Sequence, residues 1–173
     1  ESGSIPTAML TIVHRQALKS GILSTANEIR DGKQFNEKDN HEDRVIGELK
    51  DLHFKPFEKA ENVYKTIIKT CKQYTKVKNF DIMNFQVIVP LKSRGDLSTQ
   101  NLNIELQKIF NGGNKPFIKR GSYMFKEGDK IIQCGNNYDD NVFNGTLGII
   151  KGVDDKTKTM TIDFVGVGMI QYT

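Results

Sequence analysis

The sequence predicts an α/β unit with parallel strand pairing, followed by a small all-β barrel. Three observations carry that expectation. Residues 57–74, "FEKAENVYKTIIKTCKQY", place Phe57, Ala60, Val63, Tyr64, Ile67, Ile68, Cys71 and Tyr74 on one stripe with helical period. Residues 85–90, "FQVIVP", form a near-continuous β-branched run of the kind buried on both faces of a parallel sheet. Beyond "NGGNKP" at 111–116, which breaks any helix, only short β-branched runs and turn residues remain.

In chain order, "LTIV" at 10–13 reads as a short strand. A helix over 15–32 follows from the spacing of Ala17, Ile22, Ala26 and Ile29, with Gly32 where a helix end favours glycine. Residues 36–48 are polar and read as a surface loop, and 49–54 as a strand with Leu52 and Phe54 on one face. After the helix at 57–74 and the strand at 85–90, "LSTQNLNIELQKIF" at 97–110 reads as a second long helix with Ser98 or Thr99 as its N-cap. Alternating strand and helix imply parallel pairing. The change of pattern puts a domain boundary near 115, giving domains 1–114 and 115–173. In the second, strands are expected at 129–134, 146–153, 158–165 and 168–172, and four short strands with tight turns suggest a barrel.

The stretch "NNYDDNVFNGTLGII", 136–150, invites three readings. A calcium loop needs oxygen ligands at alternating positions and a closing glutamate. Counted from Asp139, Phe143 stands at the fifth position and Asn144 at the sixth, where glycine is needed, so that reading fails. Asn144-Gly145-Thr146 matches a glycosylation sequon, which matters only in a secreted chain. The third reading is a two-residue type I′ turn at Asn144-Gly145.

Of 173 residues, 37% are hydrophobic and 27% charged, the composition of a folded chain with an ordinary core. A net charge of +4 permits a polyanionic partner without requiring one. The two cysteines, Cys71 and Cys134, lie far apart and histidines number three, a poor basis for a zinc site. No apolar run reaches the roughly 20 residues of a membrane helix, and no signal-peptide pattern opens the chain, so a cytoplasmic location is expected. Glu1 rather than Met begins the sequence and "GMIQYT" reads as an interrupted strand, so an excised piece of a longer protein is expected.

Two segments together resemble RecD-like superfamily 1 DNA helicases, the family of the exodeoxyribonuclease V alpha subunit. The first is "SGSIPTAMLTIVHRQALKSGILSTANEIRDG" at 2–32, with its S-G-x-x-P, R-Q-A and A-x-x-I-x-x-G elements. The second joins "FQVIVPLKSRGDLSTQNLNIELQKIFN" to "FKEGDKIIQCGNNYDDNVFNGTLGIIKGV", with L-N-x-x-L-Q and the long G-D-K to F-N-G-x-x-G motif. The resemblance covers essentially the whole chain. It implies part of the second RecA-like motor domain, with its parallel sheet, followed by an inserted SH3-like barrel.

The resemblance also implies roles. Arg15 matches the arginine that reaches the ATP γ-phosphate, a task suited to a guanidinium's fixed, always-charged donors. Taken alone it reads as a surface or capping arginine. Gln16 is a weaker candidate for the same cleft, and His14 packs or caps. Lys92, Ser93 and Arg94, where the chain leaves a strand and enters a helix, are candidates to hold single-stranded DNA. That loop departs in length and glycine content from the family. Lys119 and Arg120, in "KPFIKRGS", are further DNA candidates, weighed against a solvated basic face. Tyr138 and Phe143 are expected as core and turn-packing residues rather than base-stacking platforms.

The implied parent is an ATP- and Mg²⁺-dependent helicase acting in DNA recombination and repair, translocating 5′ to 3′, with single-stranded DNA and possible recombination-complex subunits as partners. No phosphate loop lies in this sequence, so this segment alone is expected to bind no ATP and no metal, and to be inactive. Two rivals remain: a non-catalytic nucleic-acid-binding or scaffolding module, and a relative of conjugative relaxase-helicases.

Overall fold

The computed structural model describes residues 19–33 and 42–173. The chain divides into two compact units, Glu1–Lys59 and Ala60–Thr173.

In the first unit, helix α1 (Gly21–Arg30) starts where Ser20 caps it, the Ser20 hydroxyl accepting from the Ile22 amide at 3.2 Å. The Asp51 carboxylate completes the cap. It accepts the Ser20 hydroxyl at 2.5 Å and the Gly21 amide at 2.8 Å, placing negative charge at the positive end of the helix. Gly32 takes φ +79 and the Lys33 amide donates back to the Glu28 carbonyl, so the helix stops at the glycine that marks its end in the sequence. The expected helical residues 15–18 and the expected strand at 10–13 lie outside the described residues.

Strands β1 (Arg44–Ile46) and β2 (Leu52–Phe54) pair antiparallel, Arg44 opposite Phe54 and Ile46 opposite Leu52. The last part of the expected 36–48 loop is therefore a strand. The polar sequence concealed it because its apolar content is only Val45 and Ile46, while Gly47 (φ +89) and Lys50 (φ +53) supply the turn chemistry. Gly47 also meets Gly21 through an antiparallel bridge at Ser20. A Cβ on Gly21 would collide with the Ile46 carbonyl, and one on Gly47 with the Gly21 amide.

In the second unit, α2 (Ala60–Tyr74) and α3 (Thr99–Phe110) bracket a 3₁₀ turn (Ile82–Asn84). Asp81 caps that turn through the Met83 amide. Rings join these pieces. Tyr74, Phe80, Phe85 and Phe110 form one cluster, with centroids 5.0 Å apart for Tyr74–Phe85 and 5.5 Å for the stacked Phe80–Phe110 pair. Cys71 is buried under α2, and burial pushes its thiol up, which suits a packing role.

Residues 85–90 form no strand and pair with none among the described residues. Ile88 is 88% exposed. Every named strand pairing is antiparallel, and the sole parallel contact among the described residues is the isolated Leu91–Ser98 bridge.

The remainder is all-β. A hairpin of β3 (Phe117–Arg120) and β4 (Tyr123–Lys126) precedes a four-stranded antiparallel sheet in the order β5 (Lys130–Ile132), β6 (Leu147–Asp154), β7 (Thr159–Phe164), β8 (Gly168–Tyr172). Ile118, Val142, Ile150, Met160, Ile162 and Phe164 make the core. β7 supplies its centre, burying Met160, Ile162 and Phe164 at alternate positions, and a bulge between Ile150 and Gly152 bends β6 around it. Gly148 leaves room for two core side chains of the neighbouring strand β7. A Cβ there would stand 2.9 Å from both Ile162 and Phe164.

The β3–β4 hairpin was not expected as strands. Its two-residue turn is Gly121-Ser122, with positive φ at Gly121 only, the glycine-first chemistry of a type II′ hairpin. The turn at Asn144-Gly145 also differs from expectation. The Thr146 amide donates to the Phe143 carbonyl at 3.0 Å and positive φ occurs at Gly145 (+90) but not at Asn144, the φ pattern of a type II turn rather than I′. The position needing a left-handed residue after Tyr138 is Asn141 (φ +55), three residues earlier.

The Asp51 cap carries a pH dependence. The Ser20 hydroxyl first, then the Gly21 amide, hold the Asp51 carboxyl below the ordinary aspartate value of 3.8. A depressed folded-state value means that the contribution to stability is present above pH 3.8 and is lost as pH falls through the lower folded value. Carboxyl-detected NMR should show Asp51 titrating below 3.8, and Ser20→Ala should move it upward. A midpoint at or above 3.8 in the unsubstituted chain contradicts the cap.

Candidate nucleic-acid interface

Helix α3 is where the two basic stretches meet. Ser98, fully buried, caps it through the Asn101 amide at 3.4 Å, while the Thr99 and Gln100 amides donate to the carbonyls of Leu91 (2.8 Å) and Lys92 (3.1 Å). The Leu102 amide donates to the Ser98 carbonyl, so the first-turn donors are all occupied by the chain itself. These amides are therefore not free to bind a phosphate. Any anion held here is held by side chains.

Those side chains are available. Lys92, Ser93 and Arg94 are exposed, in a loop tied down by Asn101, whose amide donates to the Gly95 carbonyl at 2.9 Å. Gln100 then links this loop to the β3–β4 turn. Its backbone amide binds Lys92 and its side chain donates to the Ser122 hydroxyl at 2.9 Å. Lys119 and Arg120, two strand positions before that turn, are exposed as well. Arg120 is partly committed, donating to the Lys158 carbonyl at 2.9 Å across to the β6–β7 turn. The two basic groups predicted separately thus border the same end of α3. Arg15, Gln16 and His14 lie outside the described residues.

The other end of α3 is fixed by one carboxylate. Asp129 Oδ2 accepts from the Gln107 side chain (2.6 Å) and from the Lys126 amide (2.8 Å), while Oδ1 accepts from the Asn111 side chain (2.7 Å). Gln107 also donates to the Met124 carbonyl and Asn111, the C-cap of α3, to the Glu127 carbonyl, so two amide side chains at this end of the helix hold β4 and the β4–β5 turn. Gly128 at φ +89 makes that turn, and a Cβ there would stand 3.0 Å from Asn111 Oδ1 and Lys115 Nζ.

Lys130, next in the chain, donates to three carbonyls: Ile82 (3.0 Å), Met83 (3.1 Å) and Phe85 (2.9 Å). Burial pushes its ammonium below the ordinary lysine value, and the Asp81 charge opposes that. Gln107, Asn111, Asp129 and Lys130 are positioning residues that the sequence reading passed over. The signal was present in the L-N-x-x-L-Q and G-D-K elements.

The loop at 136–146 is satisfied from within. Asn137 exchanges backbone bonds with Val142, its side chain reaches the Asp140 amide and carboxylate, and Asn136 accepts from the Asn144 amide at 2.9 Å. Val142 is the core residue. Tyr138 and Phe143 are not: they are 73% and 47% exposed and meet edge-to-face at 6.1 Å, which corrects the expectation that they pack inward. A closed loop with one buried valine places its neighbouring rings outside.

Residues 102–164 match the sequence profile of the ATP-dependent RecD-like DNA helicase SH3 domain. The match runs from within α3 to the last residue of β7, so the helix and the barrel it is bonded to fall in one family unit. This part of the chain is similar to a RecD-like helicase SH3 domain. Among curated proteins, the ATP-dependent RecD2 DNA helicase of Deinococcus radiodurans is 33% identical over 81 residues. That stretch spans 47% of this chain and 11% of the helicase. In this chain the G-D-K element has a physical purpose. Glycine turns the chain, aspartate anchors α3, and lysine anchors the 82–85 segment.

Replacing Asp129 with alanine leaves two side-chain amides and one backbone amide without their acceptor. The expected cost is about 2–3 kcal/mol in denaturant unfolding. Asp129→Asn should lose most of the same amount, because its amide presents a donor where donors already point. An unfolding midpoint unchanged in both variants would contradict the anchor.

Proposed function

We propose that the chain is part of a RecD-like, ATP-dependent DNA helicase, and that it contributes a share of the second RecA-like motor domain (1–114) and the barrel inserted into it (115–173). The observation that carries the reading is the family match over 102–164, reinforced by the identity to a RecD2 helicase. The unpaired run at 85–90 supports the motor half. A β-branched segment left unpaired with Ile88 88% exposed is suited to a sheet completed by other parts of a longer protein.

In this reading ATP and Mg²⁺ are bound in the parent by segments other than this one, and Arg15 answers to the γ-phosphate, with Gln16 beside it. A guanidinium bound to the γ-phosphate is attracted to ATP more than to ADP, which couples hydrolysis to closure of the motor cleft. Lys92, Ser93, Arg94, Lys119 and Arg120 hold the backbone of single-stranded DNA by side-chain contacts alone. The parent translocates 5′ to 3′, works in recombination and repair in the cytoplasm, and other subunits of a recombination complex are its candidate partners. No helix among the described residues is long and apolar enough to cross a membrane.

The test is Arg15→Ala in the full-length parent. ATP turnover should fall by about 10³-fold or more, with DNA affinity retained. Turnover at the unsubstituted rate would remove Arg15 from the ATP site.

A further inference from the structure

Helix α2 carries a second cationic feature, separate from the loops at the N-terminus of α3. Lys65, Lys69 and Lys72 follow one another at steps of four and three residues, so they project from one narrow face of the helix, and Lys76 follows in the turn just after its end at Tyr74. All four are exposed. Lys65 pairs with Glu61 at 2.5 Å, and Lys69, Lys72 and Lys76 make no ion pair among the described residues. With Tyr64, Ile68 and Gln73 they line a shallow groove of about 470 Å³.

We infer that this stripe is a docking surface for the phosphodiester backbone of DNA. From Lys65 to Lys72 the helix rises about 10 Å. That length faces roughly three phosphates of one strand at the ~3.4 Å axial spacing of duplex DNA, and Lys76 lines the same groove beyond it. A row of like charges along an open groove fits a regularly charged polymer better than a compact ligand, which would call for a converging pocket. A lipid surface is disfavoured because the opposite face of α2 is already in use. Cys71 is buried there, and the Tyr74 ring is held against Phe80 and Phe85. Binding to the stripe is electrostatic and independent of sequence. The choice of DNA among polyanions rests on the helicase reading above, whereas the stripe itself rests on α2 alone.

The test uses the 173-residue chain without nucleotide, so that its result is independent of the motor assignment. Fluorescence anisotropy is measured with a labelled oligothymidylate and with a labelled duplex of equal length, across roughly 50–200 mM salt. Lys69, Lys72 and Lys76 are changed together to Gln, a residue of similar helix propensity, so that folding is preserved and circular dichroism can verify it. A Lys92→Gln, Arg94→Gln variant serves as the comparison.

The expected result is weaker binding and a slope of log affinity against log salt reduced by about 2 for the single strand, from three lost phosphate contacts at ~0.7 each. This loss should add to that of the comparison variant. The arm that shows it identifies single-stranded or duplex DNA as the occupant. An unchanged slope in both arms for a correctly folded triple variant would overturn the proposal. So would stripe-dependent binding of poly-glutamate with none of DNA, which would assign the surface to an acidic protein segment. Failure of the Arg15 test would leave this measurement unaffected.

Discussion

The joint between the C-terminal end of α3 and the β4–β5 turn depends on the Asp129 carboxylate. It gathers donors from Gln107, Asn111 and the Lys126 backbone, and those donors belong to a helix and to a strand. Charge-assisted hydrogen bonds of 2.6–2.8 Å in partly buried surroundings are among the stronger polar contacts a small domain can make. Without this hub, α3 would meet the hairpin through exposed or half-buried side chains, and the apolar core of the barrel, centred on Phe164 and Val142, does not include the helix. The polar joint therefore does for α3 what the hydrophobic core does for the strands.

The consequence for function is geometric. The same helix whose last turns bind Asp129 presents, at its first turn, Gln100 between the 92–94 loop and the β3–β4 turn. Basic side chains from two distant stretches are thereby brought to one place by a rigid element rather than by the loops themselves. Lys130 extends this arrangement to the segment that leads into the loop, through its three carbonyl contacts at 82, 83 and 85. The proposed DNA contacts thus inherit their placement from the G-D-K element of the barrel.

Much of this was legible in the sequence, for identifiable reasons. α2, α3 and the four strands of the sheet were marked by periodicity, by Ser98 and by β-branched runs with glycine between them, and the motif spacing pointed to the family. Other features were hidden. The β3–β4 hairpin has few β-branched residues and its basic composition reads as loop. β1 lies within a polar run. Asn144-Gly145 suggested a type I′ hairpin, but tertiary bonds from Asn136 and Thr146 set a turn with only Gly145 left-handed. Tyr138 and Phe143 looked like packing residues because aromatic side chains usually are, yet Val142 between them occupies the interior. Hydrogen bonds made by Gln107 and Asn111 could not be read from residue type, since amide side chains at such positions are equally at home in water.

The most direct measurement is native-state hydrogen exchange of the 173-residue chain, comparing the amides of α3 with those of β6 and β7. If Asp129 makes the helix and barrel one cooperative body, the slowest α3 amides should exchange with the same opening free energy as the barrel core, and the two should respond together to denaturant. Amides of α3 that open at a much lower free energy than the strands, independently of them, would contradict the account.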